Sequence, residues 1–263
     1  MKILFIGDIV AEPGRKAVKK ILPDLKNELN IDLVLANAEN IAGGRGITVD
    51  TVKELQDAGI DYFTSGDHVF WQKETEKFID SVSVLRPANY PKGTPGKGFE
   101  IIDTGKNGRV LLINLMGRTS FGGIFSYLDD PFSKFDEILE ENREGFSAII
   151  VDFHGEATSE KQAFGFYADG KVTAVLGTHT HVPTCDHRVL PKGTMYVTDV
   201  GMTGVLDSVL GVKEELIIDL LRTARNQKFE WKNTGTKAFR SVLLDTVKKS
   251  IERIDKVLAS QAV

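Results

Sequence analysis

A single cysteine and the absence of long apolar segments narrow the class of this protein. Cys185 alone cannot form an intrachain disulfide framework or a zinc site of four cysteines. The apolar runs are short, as at residues 3–6, and fall far below the roughly 20 residues that span a membrane. The N-terminal run is ended by Gly7 and Asp8, which is unlike a signal peptide. We therefore expect a cytoplasmic protein that does not interact with membranes.

The sequence also has no excess of positively charged residues. The 263 residues include 33 Lys and Arg against 37 Asp and Glu, which gives a formal net charge of −4. This balance argues against binding nucleic acid by bulk electrostatics, and we expect no stable nucleic-acid complex. The longest basic stretch, residues 15–20, falls on a predicted helix and is interpreted as the solvated face of that helix.

Short apolar runs alternate with amphipathic segments through most of the chain, which predicts an α/β fold with helix-covered sheets. Strands are predicted at residues 2–6, 32–36, 62–64, 110–114, 148–153, 172–176 and 195–198. One helix is predicted to open at Pro13-Gly14 and another to cover residues 49–58. No linker or repeat divides the sequence, so we expect one domain over residues 1–263.

Two regions are harder to interpret. Residues 86–106 hold three prolines and predict an irregular excursion. In the tail, a helix face is suggested by the spacing of Leu243, Val247, Ile251, Ile254 and Leu258, yet residues 239–245 are also a plausible strand.

Polar side chains lie just after five of the predicted strands. They are Asp8, Glu39, Asn40, Asp67, His68, His154, His179 and His181. In α/β sheets, ligands bind in the crevice beyond the carboxyl ends of the strands. Four of the five histidines in the chain belong to this set, which chance placement would rarely produce. The pattern therefore predicts a functional site at one sheet edge.

The residue types at this edge suit metal ions. His179 and His181, separated by one residue in a turn, can each reach a different metal of a close pair. Glu39 has two oxygens that could bridge two cations, and Asn40 offers a carbonyl oxygen. Oxygen and nitrogen donors without sulfur suit Fe, Mn or Zn and disfavour a structural zinc site.

Each residue also has a simpler interpretation when taken alone. The two histidines of the turn could be solvated, and Asp8 could cap the helix that begins near Pro13. His68 could merely orient Asp67.

Together the motifs resemble those of the calcineurin-like metallophosphoesterase superfamily. Gly7-Asp8, Gly66-Asp67-His68, His154 and the segment at 177–181 follow its order and spacing. Val10 stands where that superfamily usually has His, and the second motif contains Glu39 instead of a bridging Asp. Both departures match one branch, the YmdB-like phosphodiesterases, which the chain resembles from residue 2 to about residue 212. Supporting stretches lie at residues 7–15, 38–48, 115–118 and 198–204.

The resemblance implies two packed β-sheets flanked by helices, an α/β/β/α sandwich. It also implies a two-metal site, often iron, that hydrolyses phosphodiesters such as 2′,3′-cyclic AMP, with His68 as general acid. By position, one metal would be held by Asp8, Glu39, Asn40 and His181, and the other by Glu39, Asp67, His154 and His179. Asp67 departs from the usual Asn of this branch and adds a negative charge. The family's tail is stranded, which favours the strand at residues 239–245.

The same set of residues is compatible with other functions. The same metals would serve a phosphomonoesterase or a nuclease, and a regulatory protein could sense nucleotides without turnover. A sensor would be free to lose His68, and a nuclease would need a basic track for the nucleic-acid backbone. A small phosphodiester is the expected partner, and a homo-oligomer is compatible with the sequence.

Some loop residues carry weaker signals. The backbone amides of residues 43–46 could approach phosphate, although glycine-rich turns are usually only turns. Arg118, Phe121 and Phe125 could form a rim that faces the substrate, or simply pack as a surface loop. Asp199 could orient a ligand histidine or merely form a turn.

Overall fold

The computed structural model describes residues 1–143 and 145–259. The strands are β1 (Lys2–Ile6), β2 (Leu33–Asn37), β3 (Tyr62–Thr64), β4 (Phe99–Asp103), β5 (Arg109–Met116), β6 (Ala148–His154), β7 (Ala174–Thr178), β8 (Arg188–Val189), β9 (Met195–Val197), β10 (Gly204–Val205), β11 (Lys237–Phe239), β12 (Ser241–Asp245), β13 (Ser250–Arg253) and β14 (Lys256–Leu258). The helices are α1 (Ala11–Leu29), α2 (Val49–Asp57), α3 (Thr75–Phe78), α4 (Pro131–Glu141), α5 (Thr158–Ala168) and α6 (Glu214–Thr223).

Two large sheets carry the fold, and a small third sheet joins the tail to them. The first sheet has the order β13-β12-β1-β2-β3, and the second has the order β4-β5-β6-β7-β9-β8. Strands β1, β2 and β3 are parallel, as are β5, β6, β7 and β9. The third sheet, β10-β11-β14, is antiparallel.

The two large sheets pack face to face. Ile3 and Phe5 of β1 share one buried core with Leu112 of β5 and Ile150 of β6. The alternate residues of β1 and β5 are buried too, because helices cover the outer faces: α1 and α2 cover the first sheet, and α4 and α5 cover the second. Burial on both faces explains why these strands are apolar throughout. The predicted α/β/β/α sandwich is confirmed.

The predicted elements differ from the observed ones in a few places. Helix α1 begins at Ala11, so Pro13 lies in its first turn, where its missing N–H costs no intrahelical bond. The excursion at residues 86–106 contains a regular edge strand, β4, which pairs with β5. Among the described residues, no helix combines the length and apolar character needed to cross a membrane.

The helical spacing in the tail is misleading. Residues 241–258 form three strands, β12, β13 and β14, and β12 pairs antiparallel with β1. Val247, which the helical pattern would bury, is 81% exposed in the turn after β12. The strand favoured by the family resemblance is therefore confirmed, although it divides into β11 and β12 around Arg240.

Candidate metal centre

Four of the predicted ligands form one compact cluster at the carboxyl ends of β2, β3, β6 and β7. Glu39, Asp67, His154 and His179 each offer one ligand atom, and these atoms all lie within 4.8 Å of one another. His154 Nε2 is 3.2 Å from Glu39 Oε2, 3.0 Å from Asp67 Oδ1 and 3.0 Å from His179 Nδ1. Gly66 makes room for the cluster, because a Cβ there would lie 2.2 Å from His154 Nε2. Two carboxylates and two imidazoles can hold a transition-metal ion.

The other three predicted ligands, Asp8, Asn40 and His181, adjoin Glu39. Asn40 Nδ2 donates to Glu39 Oε1 at 2.9 Å and lies 3.2 Å from His181 Nε2, which is 4.0 Å from Asp8 Oδ1. Asp8 Oδ1, Asn40 Oδ1 and His181 Nδ1 are buried without a hydrogen-bond partner in the described chain. Because buried polar atoms are normally satisfied, three unsatisfied atoms in neighbouring side chains indicate a ligand site.

Backbone strain marks the turn that carries the two histidines. The φ angles are 103° at His179 and 64° at His181, a region that residues with a side chain seldom adopt. Asp199 holds the turn, since it accepts hydrogen bonds from the backbone N–H of Thr180 at 3.0 Å and from its hydroxyl at 2.7 Å. Asp199 is itself paired at 2.7 Å with the buried ammonium of Lys161. It therefore positions the histidine turn.

The simpler interpretations of the turn and of Asp8 are wrong. The side chains of His179 and His181 are 18% and 10% exposed, so they are not solvated. The N-cap of α1 is Val10, and no side-chain hydrogen bond caps that helix. Asp8 instead accepts a hydrogen bond from the backbone N–H of His179 at 3.2 Å.

A chain of hydrogen bonds that the sequence analysis did not identify orients His154. The Thr178 hydroxyl donates to Asp152 Oδ1 at 2.7 Å, so it can only accept from His154 Nδ1, which lies 2.9 Å away. Nδ1 therefore carries a hydrogen, and Nε2 faces the cluster. Thr64 and Asn37 also donate to Asp152. The signal available in the sequence is an aspartate inside an otherwise apolar strand.

The electrostatics of the cluster favour a cation. Burial opposes charge on the Glu39 and Asp67 carboxyls, but His154 and the neighbouring histidines outweigh it and lower the pKa of both. Burial likewise disfavours the His154 imidazolium, yet Glu39 and Asp67 raise its pKa to about 10. The metal-free cluster therefore holds a proton on Nε2, at the position where a cation would be stabilised.

Burial has different consequences for Asp8 and His181. It raises the pKa of the Asp8 carboxyl well above its ordinary value. It lowers the pKa of His181 to about 4, which keeps this imidazole neutral near pH 7. Neutral imidazole is the form that binds a metal.

His68 contacts both carboxylates of the cluster and lines the adjoining cavity. Its Nδ1 is 3.1 Å from Glu39 Oε1, and its Nε2 is 3.5 Å from Asp67 Oδ2. Burial lowers the pKa of this imidazole, but the hydrogen bond and charge of Glu39 outweigh burial and raise the pKa above its ordinary value. The raised pKa favours the protonated form that a general acid requires, and His68 lies at the edge of a cavity. The contact with Asp67 also permits an orienting role, which kinetics can separate from proton donation.

The loops near the cluster differ in whether their residues contact the cluster or are free to contact a ligand. The backbone N–H of Arg45 donates to the carbonyl of Ala42, and the backbone N–H of Gly46 donates to the backbone carbonyl of Glu39. Because both amides are already hydrogen-bonded, they do not form a phosphate cradle. Arg118 pairs with Asp130 at 3.2 Å, whereas Phe121 packs on the His179 ring with centroids 4.8 Å apart. Of the predicted rim, Phe121 is the residue that contacts the cluster.

Two face-to-face sheets, outer helices and a carboxylate–histidine cluster beyond the strand ends define the calcineurin-like metallophosphoesterase fold. Residues 4–257 match the sequence model of the YmdB-like protein family, and the chain belongs to that family.

Individual relatives cover nearly the whole chain. A 2′,3′-cyclic-nucleotide 2′-phosphodiesterase of Bacillus subtilis is 45% identical over 98% of this chain and 97% of its own length. The crystal structure of a hypothetical protein from Thermus thermophilus superposes with a TM-score of 0.90 at 41% identity, covering 99% of this chain and 100% of that one. A Mycoplasma pneumoniae structure, described as a novel phosphatase, gives 0.88 at 33% identity, with 99% and 94% coverage.

Proposed function

We propose that this chain is a metal-dependent phosphodiesterase that hydrolyses 2′,3′-cyclic nucleotides and related small phosphodiesters at a dinuclear centre. The observation that carries the proposal is the 45% identity, over 98% of the chain, to the Bacillus subtilis 2′,3′-cyclic-nucleotide 2′-phosphodiesterase. The geometry supports it, because carboxylates, an amide and imidazoles converge beside a cavity of about 310 Å³.

The residue set supports two metal positions that share Glu39. The compact cluster of Glu39, Asp67, His154 and His179 would hold one ion. The side chains of Asp8, Asn40 and His181, together with Glu39, would hold the other. We propose iron as the resident metal, and manganese or zinc suits the same oxygen and nitrogen donors. Metal ions bound there would supply Lewis acidity to the phosphate and lower the pKa of water.

His68 would supply the proton for the leaving group. During hydrolysis of a 2′,3′-cyclic phosphate, a water oxygen bonds to phosphorus, the bond from phosphorus to O2′ breaks, and O2′ takes the proton of the His68 imidazolium. The water gives up one proton to solvent, and the imidazole recovers one from solvent. The product is a nucleoside 3′-phosphate, which agrees with the 2′-specificity in the name of the Bacillus subtilis relative.

A nuclease is supported less well than a small-molecule phosphodiesterase. On the basic stretch of α1, Arg15 and Lys19 pair with Glu54, and Lys16 pairs with Glu12. Glu54 and Glu12 therefore offset two of the four positive charges of residues 15–20, which weakens the stretch as a track for a nucleic-acid backbone.

A substrate panel tests the proposal. Protein loaded anaerobically with Fe²⁺, or with Mn²⁺, is assayed on 2′,3′-cyclic AMP, 3′,5′-cyclic AMP, bis(p-nitrophenyl) phosphate and the monoester p-nitrophenyl phosphate, and ³¹P NMR identifies the product. We expect 2′,3′-cyclic AMP to give 3′-AMP with the highest kcat/KM. Preference for the monoester would make the chain a phosphatase, and binding without turnover would make it a sensor.

A further inference from the structure

Two unlike sets of residues line the cavity beside the cluster. The first set is polar and includes His68, Glu156, His179 and His181. The second set, called the apolar wall, consists of Val209, Leu210, Val212, Ile217, Phe229 and Trp231. The cavity volume of about 310 Å³ lies within the range of pockets that bind small organic ligands.

All six apolar residues belong to one excursion of the chain, residues 206–236. It leaves the small third sheet after β10 and returns at β11, and because these strands pair at Gly204 and Ala238 its two ends lie side by side. None of the ten described residues of α6, at the centre of the excursion, is buried. The apolar side chains of α6 are therefore not buried in a core of their own.

Trp231 anchors this excursion on the body of the protein. Its indole lies against the backbone of Gly44, where a Cβ would come within 1.9 Å of the ring. It also packs on Val10, Ala11 and Met202. The apolar wall is therefore held in place next to the cluster.

Arg45 connects the excursion to the turn after β3. Its guanidinium carbon lies 4.5 Å from the ring centroid of Trp71 and 5.5 Å from that of Phe229. Cation–π contacts hold an arginine without using its N–H donors. No carboxylate of residues 1–143 or 145–259 forms an ion pair with it, so those donors are available to a ligand in the cavity that Arg45 lines.

Leu210 is the most exposed part of the apolar wall. It has a φ of 53°, which is strained for leucine, and it remains 46% exposed although it lines the cavity. A ligand in the cavity would cover this apolar surface.

We propose that the cavity binds the nucleoside of the substrate, with the nucleobase against the apolar wall and Arg45 donating hydrogen bonds to its polar edge. A nucleobase combines a flat apolar face with an edge of hydrogen-bond acceptors, which matches an apolar wall beside unpaired arginine donors. The cyclic phosphate would then face the cluster. This inference rests on the proposed function and adds the residues that recognise the base.

The test compares a nucleotide with a matched compound that lacks the base. Kinetics on 2′,3′-cyclic AMP and on methyl riboside 2′,3′-cyclic phosphate are measured for wild type, Ile217→Ala, Leu210→Ala and Arg45→Met. We expect each variant to raise KM for 2′,3′-cyclic AMP roughly tenfold, the usual effect of removing one pocket contact. KM and kcat for the base-free compound should stay within about twofold of wild type. Leu221→Ala, on the same helix but outside the cavity, is the matched control.

Binding measurements separate this inference from the proposed function. Equilibrium dialysis with 3′-AMP and with methyl riboside 3-phosphate should show a preference for 3′-AMP that Ile217→Ala reduces and Leu221→Ala does not. If neither cyclic phosphate is hydrolysed but this preference remains, the proposed function fails and the nucleoside pocket stands.

Other outcomes overturn the pocket. Equal KM values of wild type for the two cyclic phosphates would do so, as would equal effects of Ile217→Ala and Leu221→Ala. If light scattering shows that the variants of the apolar wall differ from wild type in oligomeric state while their KM values are unchanged, the apolar wall is a contact between chains.

Discussion

The metal cluster and the excursion at residues 206–236 both line one cavity but are built differently. In the cluster, His154 is fully buried and Glu39 is 1% exposed, and the cluster is attached to the ends of core strands. In the excursion, Ile218 is 51% exposed and Leu221 is 78% exposed, and a few aromatic contacts anchor the segment. In the proposed division of roles, chemistry belongs to the rigid side of the cavity, which is anchored on core strands, and recognition of the substrate belongs to a lightly packed segment.

The largest expected effect is at Glu39, the residue shared by both proposed metal positions. Glu39→Gln keeps the size of the side chain but removes the charge that holds two cations together. We expect activity to fall by at least the roughly 10²–10⁴-fold that a general acid contributes, together with lost metal binding. Metal analysis and kcat on 2′,3′-cyclic AMP check this. Full activity with one tightly bound metal would contradict the shared role.

His68→Ala should lower the rate of the chemical step without lowering metal binding on the rigid side of the cavity. We expect unchanged metal occupancy and a loss of roughly 10²–10⁴-fold in kcat, the usual contribution of general acid catalysis. The loss should shrink for bis(p-nitrophenyl) phosphate, because p-nitrophenolate scarcely needs a proton. An equal loss on both substrates would show instead that His68 orients Asp67 or the substrate.

Thr178→Val tests how strongly metal binding depends on a residue that orients a ligand histidine but does not contact the substrate. It removes the hydroxyl that accepts from His154 Nδ1, so the ring loses the contact that fixes its orientation. We expect metal affinity to fall about 10–100-fold, as is common for partners of ligand histidines. Thr178→Ser retains the hydroxyl and should bind metal like wild type. If both variants bind metal equally well, the hydrogen-bond chain from Asp152 does not orient His154.

The pH dependence of metal binding should show a smaller effect. His154 has a pKa of about 10 in the metal-free protein, so near pH 7 it must release a proton before Nε2 can bind a metal. Affinity should therefore rise with pH, by about tenfold per unit while this proton is held, and level off above the pKa. Calorimetry in two buffers of different ionisation enthalpy measures the proton release.

Asp67→Asn provides the comparison for this titration. The Asp67 charge helps to raise the pKa of His154, so its removal should lower that pKa and flatten the pH dependence. The variant should also bind the metal more weakly, because the ligand set loses one negative charge. Calorimetry that shows no proton release in either protein would contradict the raised pKa of His154.

The rigid side of the cavity could be predicted from sequence because each of its residues lies at or just after the end of an apolar strand. Asp8, Glu39 and Asp67 follow parallel strands of the first sheet, and His154 ends a parallel strand of the second. The carboxyl ends of both sets of strands meet at the cluster. Asp152 escaped notice because a buried aspartate within a strand has no motif. The single-domain organisation, the cytoplasmic location and the absence of a nucleic-acid complex stay predictions.

The apolar side of the cavity could not be predicted in the same way. Leu210, Ile217 and Trp231 carry no motif, and their role depends on where the excursion lies relative to β2 and β3. Arg45 stands in a glycine-rich loop whose sequence suggests backbone contacts with phosphate, whereas its side chain packs on Trp71 and Phe229. Only the tertiary structure brings these segments together.

The count of metal ions in the active protein tests the central claim most directly. Metal-free protein is titrated with Mn²⁺ while bound metal and the rate of 2′,3′-cyclic AMP hydrolysis are followed in the same samples. The dinuclear centre predicts two ions per chain, with activity that reaches its maximum only as the second is bound. Full activity at one ion per chain, or without metal, would contradict it.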